Sequence, residues 1–187
     1  MSENRIVSSS IDREINDFVI DREVRDLTRK TILWYRNSLA IFAAWLNEQH
    51  IATTADITTT HMRQFLIHLK DRGHSPSGRA NVYGAVRSYL RWYKSEHDLT
   101  DWDPLHKVIP PKRAKEVKQP IDLADFQKLI AVCKGSSFFA LRDRALFMVL
   151  LDTGVRKQEL TDLVHGDVNL ANGEIYIRSG KGRKSRT

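Results

Sequence analysis

The chain has 187 residues with 41% apolar and 28% charged side chains, the balance of an ordinary globular protein of one domain or two small ones. It holds no run of about 18 apolar residues to span a bilayer and no apolar core near its N-terminus to act as a signal peptide. Its single cysteine, Cys133, excludes an intrachain disulfide and reads as a small buried hydrophobe in a reducing compartment, so a cytoplasmic location away from membranes is expected. The formal charge of +7 is uneven: residues 1–27 hold four basic and seven acidic side chains, net −3, which leaves +10 on the remainder. A basic body behind an acidic leading segment fits a polyanionic partner, most simply nucleic acid.

Serines at 8–10 open a first helix with Ile11, Ile15, Phe18 and Val19 on one face and acidic residues on the other. Thr28 opens a second, where Ile32, Tyr35, Leu39, Phe42 and Leu46 recur at steps of three and four. Trp34 and Trp45 widen its stripe and read as core, while Arg29, Lys30 and Arg36 are candidates for phosphate contact. Residues 53–60, five of them threonine, read as a polar linker with capping residues. A third helix carries Met62, Phe65, Leu66 and Leu69 inward and stops at Gly73. Ser75 and Pro76 open a fourth, with Val82, Val86, Tyr89 and Tyr93 as its stripe and Arg79, Arg87 and Arg91 on other faces. His50, His61, His68 and His74 lack the cysteine or clustered acid of a metal set.

The bundle is expected to end near Asp101–Leu105, within a first domain of residues 1–108. Residues 109–120 read as a proline-containing linker whose Lys112, Arg113 and Lys115 would follow a phosphate backbone. A second domain, 121–187, begins with a helix capped by Asp122, followed by a largely buried helix from Phe138 to Leu151. Gly154 closes that helix, and Arg156 starts another that turns Leu160, Leu163 and Val164 inward. Glu159, three residues after Arg156, reaches the same side, and a guanidinium held by a carboxylate is a preorganised clamp for phosphate oxygens. Ile175 and Ile177 alternate with Glu174, Tyr176 and Arg178 as a hairpin strand after the turn residues Ala171-Asn172-Gly173. The strand leads to Gly180-Lys181-Gly182, then Arg183, Lys184 and Arg186, with no acidic residue from Ile175 onward.

The sequence Thr153-Gly-Val-Arg-Lys-Gln-Glu-Leu160, an Asp-containing turn, a strand, and Gly180-Lys-Gly-Arg-Lys-Ser-Arg186 resembles the tyrosine recombinases, also called the phage integrase family. Arg156 and Lys181 lie 25 positions apart, close to the family's usual interval. The resemblance implies that Arg156 is the first catalytic arginine on the scissile phosphate. It implies that Glu159 supports the active site and that Lys181 is the acid toward the leaving 5′ hydroxyl. The four upstream helices, with Ala85-Val-Arg-Ser-Tyr89, resemble the family's SAM-like core-binding domain. The implied fold is mainly α: a helical bundle followed by a truncated α+β catalytic domain with a β-hairpin. The implied activity is site-specific recombination or integration through a 3′-phosphotyrosyl intermediate, with no metal or nucleotide cofactor.

The family's His-x-x-Arg motif and nucleophilic tyrosine do not follow Lys181. This chain is therefore expected to be the DNA-binding front part of a recombinase, or a non-cutting DNA binder derived from one, and not active alone. The partner is duplex DNA, with a tetramer on DNA for the intact protein and a monomer for this chain.

Overall fold

A computed structural model of the chain describes residues 10–113 and 119–178. The chain divides into two compact units, Met1–Glu116 and Val117–Thr187. The fold is mainly α: a helical bundle in the first unit, then three helices and a two-stranded antiparallel hairpin in the second.

The first unit packs α1 (Ser10–Val24), α2 (Arg29–Glu48), α3 (Thr59–Asp71) and α4 (Pro76–Glu96). The Thr28 hydroxyl accepts the Thr31 N–H at 3.3 Å, and the Ser75 hydroxyl accepts the Gly78 N–H at 3.1 Å, so α2 and α4 are capped by the residues that open them. The stripes Ile32, Tyr35, Leu39, Phe42, Leu46 and Val82, Val86, Tyr89, Tyr93 are buried. Phe18 of α1 meets Tyr35 and Tyr89 edge-on, with ring centroids 5.1 and 5.6 Å apart, which joins three helices around one aromatic ring. Trp45 lies in the core beside Phe65, whereas Trp34 stays 36% exposed against Tyr35, contrary to its reading as core. The chain after α4 folds back: the Trp102 indole N–H donates to the Ile57 carbonyl at 3.1 Å, and Val108 is buried in the same core.

The threonine-rich stretch departs from its expected role as a polar linker. Thr54 is fully buried, opening a one-turn 3-10 helix, Thr54–Asp56. Its hydroxyl donates to Glu14 Oε2 at 2.5 Å, its N–H donates to the same oxygen at 3.2 Å, and Tyr89 Oη lies 2.5 Å away. With its one proton on Glu14, the Thr54 oxygen accepts from Tyr89. Burial holds the Tyr89 phenol protonated well above its ordinary range.

The second unit holds α5 (Leu123–Val132), α6 (Phe138–Thr153), α7 (Lys157–Thr161), β1 (Val168–Asn169) and β2 (Glu174–Ile175). The Asp122 carboxylate accepts the Ala124 N–H at 3.3 Å, capping α5. The strands pair Val168 with Ile175 and Asn169 with Glu174 across a turn that Gly173 closes at φ +75°. Its core is small: Val155, Leu160 and Ile177, with Leu146, Val149, Leu150, Leu163 and Ile175 packed on them.

Here the structure corrects three expectations. Helix α6 is not largely buried: Phe138, Phe139, Leu141, Met148 and Leu151 are each at least half exposed. Its apolar residues run all round the helix, and Leu146, Val149 and Leu150 are the ones packed on the small core. Val164 is 48% exposed because α7 ends at Thr161, so helical spacing no longer sets its direction. Cys133 is half-buried at the end of α5, not a core side chain. Arg142 pairs with Asp143 at 2.7 Å, but Arg144 donates to the Cys133 carbonyl at 2.6 Å and ties α6 to the end of α5.

Candidate functional site

The turn before α7 sets the first candidate residue. Gly154 takes φ +60° and ends α6, after which Val155 is buried and Arg156 extended. The Arg156 N–H donates to Glu159 Oε2 at 2.9 Å, and its Nη1 donates to Oε1 at 2.8 Å, so both carboxylate oxygens hold one residue. The Glu159 side chain is 5% exposed and the Arg156 side chain 57%. The buried acid thus fixes a guanidinium that remains largely in solvent, and a planar fork fixed in this way matches phosphate oxygens.

A second pair was not legible as such. Asp167 Oδ2 accepts the Val164 N–H at 3.0 Å, and Oδ1 accepts Arg178 Nε at 2.5 Å. The Asp167 carbonyl takes the Tyr176 N–H at 2.8 Å, so one residue holds the turn before β1 and the strand after β2. The Val164 N–H, followed by the Arg178 guanidinium, holds the Asp167 carboxyl below its ordinary range against the opposing cost of burial. From the sequence, Arg178 is only an outward strand position. The available signal was the aspartate three residues after Val164, a spacing suited to bonding its own turn.

The candidate DNA-contact residues divide. Arg29 and Lys30 are exposed in the first turn of α2, and Arg36 is paired with Glu23 of α1 at 3.2 Å. Arg87 and Arg91 are exposed one turn apart on α4, while Arg79 in its first turn is half-buried, with a buried Nε lacking a hydrogen-bond partner. Lys112 and Arg113 are exposed, and Arg113 Nη2 donates to Asn81 Oδ1 of α4 at 3.2 Å, joining this segment to the α4 cations. Lys115, Lys181, Arg183, Lys184 and Arg186 lie outside the described residues. His61 Nδ1 accepts the Thr58 N–H at 3.3 Å, and among the described residues no group of three or more His, Cys, Asp or Glu could hold a metal ion.

A family model for the phage integrase family matches residues 119–187, and one for the phage integrase N-terminal SAM-like domain matches residues 16–97. The chain belongs to the tyrosine recombinase family. Tyrosine recombinase XerC of Pseudomonas fluorescens is 29% identical over 165 residues, covering 88% of this chain and 54% of the relative. XerC of Oceanobacillus iheyensis is 31% identical, covering 83% and 50%, and XerD of Haemophilus ducreyi is 30% identical, covering 87% and 53%. The chain therefore spans about half the length of these curated relatives. The Tn1549 transposon integrase, solved in complex with transposon right end DNA, shares the fold: TM-score 0.66 at 18% identity, over 90% of this chain and 52% of that one. The integrase-family match includes both arginine–carboxylate pairs, and the SAM-like match runs from within α1 to the end of α4.

No described helix is long and apolar enough to cross a membrane.

Proposed function

We propose that this chain is the DNA-binding front part of a site-specific tyrosine recombinase, with residues 1–108 as the core-binding domain, 109–120 as the linker and 121–187 as the first part of the catalytic domain. Its target is duplex DNA, held on the backbone by Arg29, Lys30, Arg36, Arg79, Arg87, Arg91, Lys112, Arg113 and Lys115, and by Arg183, Lys184 and Arg186. The working assembly on DNA is a tetramer, the 187-residue chain alone is a monomer, and the reaction takes place on chromosomal DNA in the cytoplasm.

The observation that carries this reading is Arg156, 57% exposed yet bonded through both its backbone and its side chain to a buried glutamate. Attack of a tyrosine oxygen on phosphorus forms the 3′-phosphotyrosyl bond and breaks the bond to the 5′ oxygen. Excess negative charge builds on the non-bridging oxygens in that transition state, and a cation fixed beforehand stabilises it over the ground state. Arg156 is that cation, Glu159 holds it, and Lys181 gives a proton to the departing 5′ oxygen. The attacking tyrosine is assigned to no residue between 1 and 187; Tyr176 sits in the hairpin with its backbone bonded to Asp167.

The first test is the binding of the 187-residue chain to a duplex of mixed sequence, followed by fluorescence anisotropy at several salt concentrations. Neutralising about four phosphates makes affinity fall roughly a hundredfold between 50 and 200 mM salt. Binding absent at low salt, or indifferent to salt, refutes the reading. In any form that cuts DNA, Arg156→Ala should abolish the covalent protein–DNA adduct while retaining most of the binding.

A further inference from the structure

The second unit builds one device twice. Around Arg156, a carboxylate 5% exposed takes a backbone N–H on one oxygen and a guanidinium N–H on the other. Around Arg178, a carboxylate 4% exposed does the same, taking the Val164 N–H on Oδ2 and Arg178 Nε on Oδ1. The arginine side chains are 57% and 59% exposed. Each follows directly on a buried residue of the same small core, Val155 before Arg156 and Ile177 before Arg178. The second device differs in one respect: Asp167 holds Arg178 by its side chain alone and takes its backbone N–H from Val164, and its partners lie 11 residues apart instead of three.

A guanidinium carries five N–H donors, and Asp167 takes the one on Nε. With that bond made, the side chain keeps its exposure and loses much of its rotamer freedom, which lowers the ordering cost of a second ligand. Asp167 also fixes the backbone on either side: its carbonyl holds Tyr176, so Arg178 is carried on a segment with little slack. The ligand that fits is an anion with oxygens in a plane that the fork can meet. The sequence around it favours one, because no acidic residue occurs from Ile175 onward and four further basic residues follow.

We propose that Arg178 is a second phosphate-binding residue of this unit, positioned by Asp167, and that its ligand is a backbone phosphodiester of duplex DNA. The proposal rests on the reading of the chain as a DNA-binding recombinase. It adds a contact three residues before the expected hairpin lysine, Lys181.

The test uses the wild-type chain, so that folding of a variant is not at issue. Phenylglyoxal modifies accessible arginines, and peptide mass spectrometry reads each site with and without a saturating mixed-sequence duplex. Arg178 should react several-fold more slowly with DNA present, while Arg25, 60% exposed and paired with Asp21 on the acidic α1, keeps its rate. Binding with Arg178 still fully reactive overturns this proposal alone. Equal protection of Arg25 also overturns it, since the effect would then not belong to the site. No binding at all overturns the recombinase reading together with this one. As a second measurement, Arg178→Gln should lower the slope of log K against log salt by about one while Arg178→Lys keeps it, and a purely structural arginine would leave the slope of the folded protein unchanged.

Discussion

The two units use polar groups in opposite ways. In the first, a continuous core from Ile11 to Val108 packs around the buried Thr54–Tyr89 hydrogen bond, and the part-buried Glu14 carboxylate turns inward to meet it. In the second, the buried apolar cluster is three residues with a partly covered fringe, and the buried carboxylates of Glu159 and Asp167 face outward onto exposed arginines. The Glu14–Thr54–Tyr89 chain of bonds ties α1, the 3-10 turn and α4 to one another inside the bundle. In the second unit each buried acid both caps a backbone N–H, which an apolar residue would leave unpaired, and holds a cation in solvent.

The contrast breaks most sharply on substitutions of apolar residues. Phe65→Ala in the first core should cost about 3–5 kcal/mol, whereas Leu141→Gln on α6 should change stability by no more than about 0.5 kcal/mol. Urea unfolding followed by circular dichroism reads both. A Leu141→Gln cost near that of Phe65→Ala would mean that α6 is covered in solution. Next in size, Thr54→Val leaves the Tyr89 hydroxyl without its partner and takes one donor from Glu14, which keeps the backbone N–H of residue 54 and the Ser10 hydroxyl, at a cost of about 1–3 kcal/mol; a neutral result would show that water replaces the threonine.

The smallest effect separates the units by pH. The phenol of Tyr89 is raised above 10.0 by burial, so its contribution to folding is complete below pH 10 and is lost as pH rises toward the folded value. Asp167 is lowered below 3.8, so its contribution is complete above that ordinary value and is lost as pH falls through the folded one. Thermal midpoints against pH should lose part of their alkaline limb in Tyr89→Phe, the rest belonging to Tyr83 and Tyr93, which burial also raises, and part of their acid limb in Asp167→Asn. An alkaline limb unchanged in Tyr89→Phe would remove Tyr89 as its source.

The bundle was legible because its information is local. The stripes of α2 and α4 repeat at 3.6 residues, and Thr28, Ser75 and Pro76 stand where caps belong. Arg156 and Glu159 were legible for the same reason, since three residues on one turn face each other. Thr54 was not, because its burial depends on Glu14, 40 residues earlier, and Tyr89, 35 later. Arg178 and Asp167 were hidden by an 11-residue separation that only the hairpin register closes. The exposure of α6 was hidden for a different reason: a helix apolar on all sides names no face.

The uneven placement of the indoles has an optical consequence. Trp34, Trp45, Trp92 and Trp102 all belong to the bundle, and residues 117–187 have none. Light absorbed at the red edge of the protein spectrum is therefore taken up by the first unit alone, chiefly by indoles packed among Phe42, Phe65, Phe18 and Tyr93. The emission of this protein reports melting of the bundle and is silent on the arginine-bearing unit, so that a single unmodified sample carries a probe for one half of the molecule only.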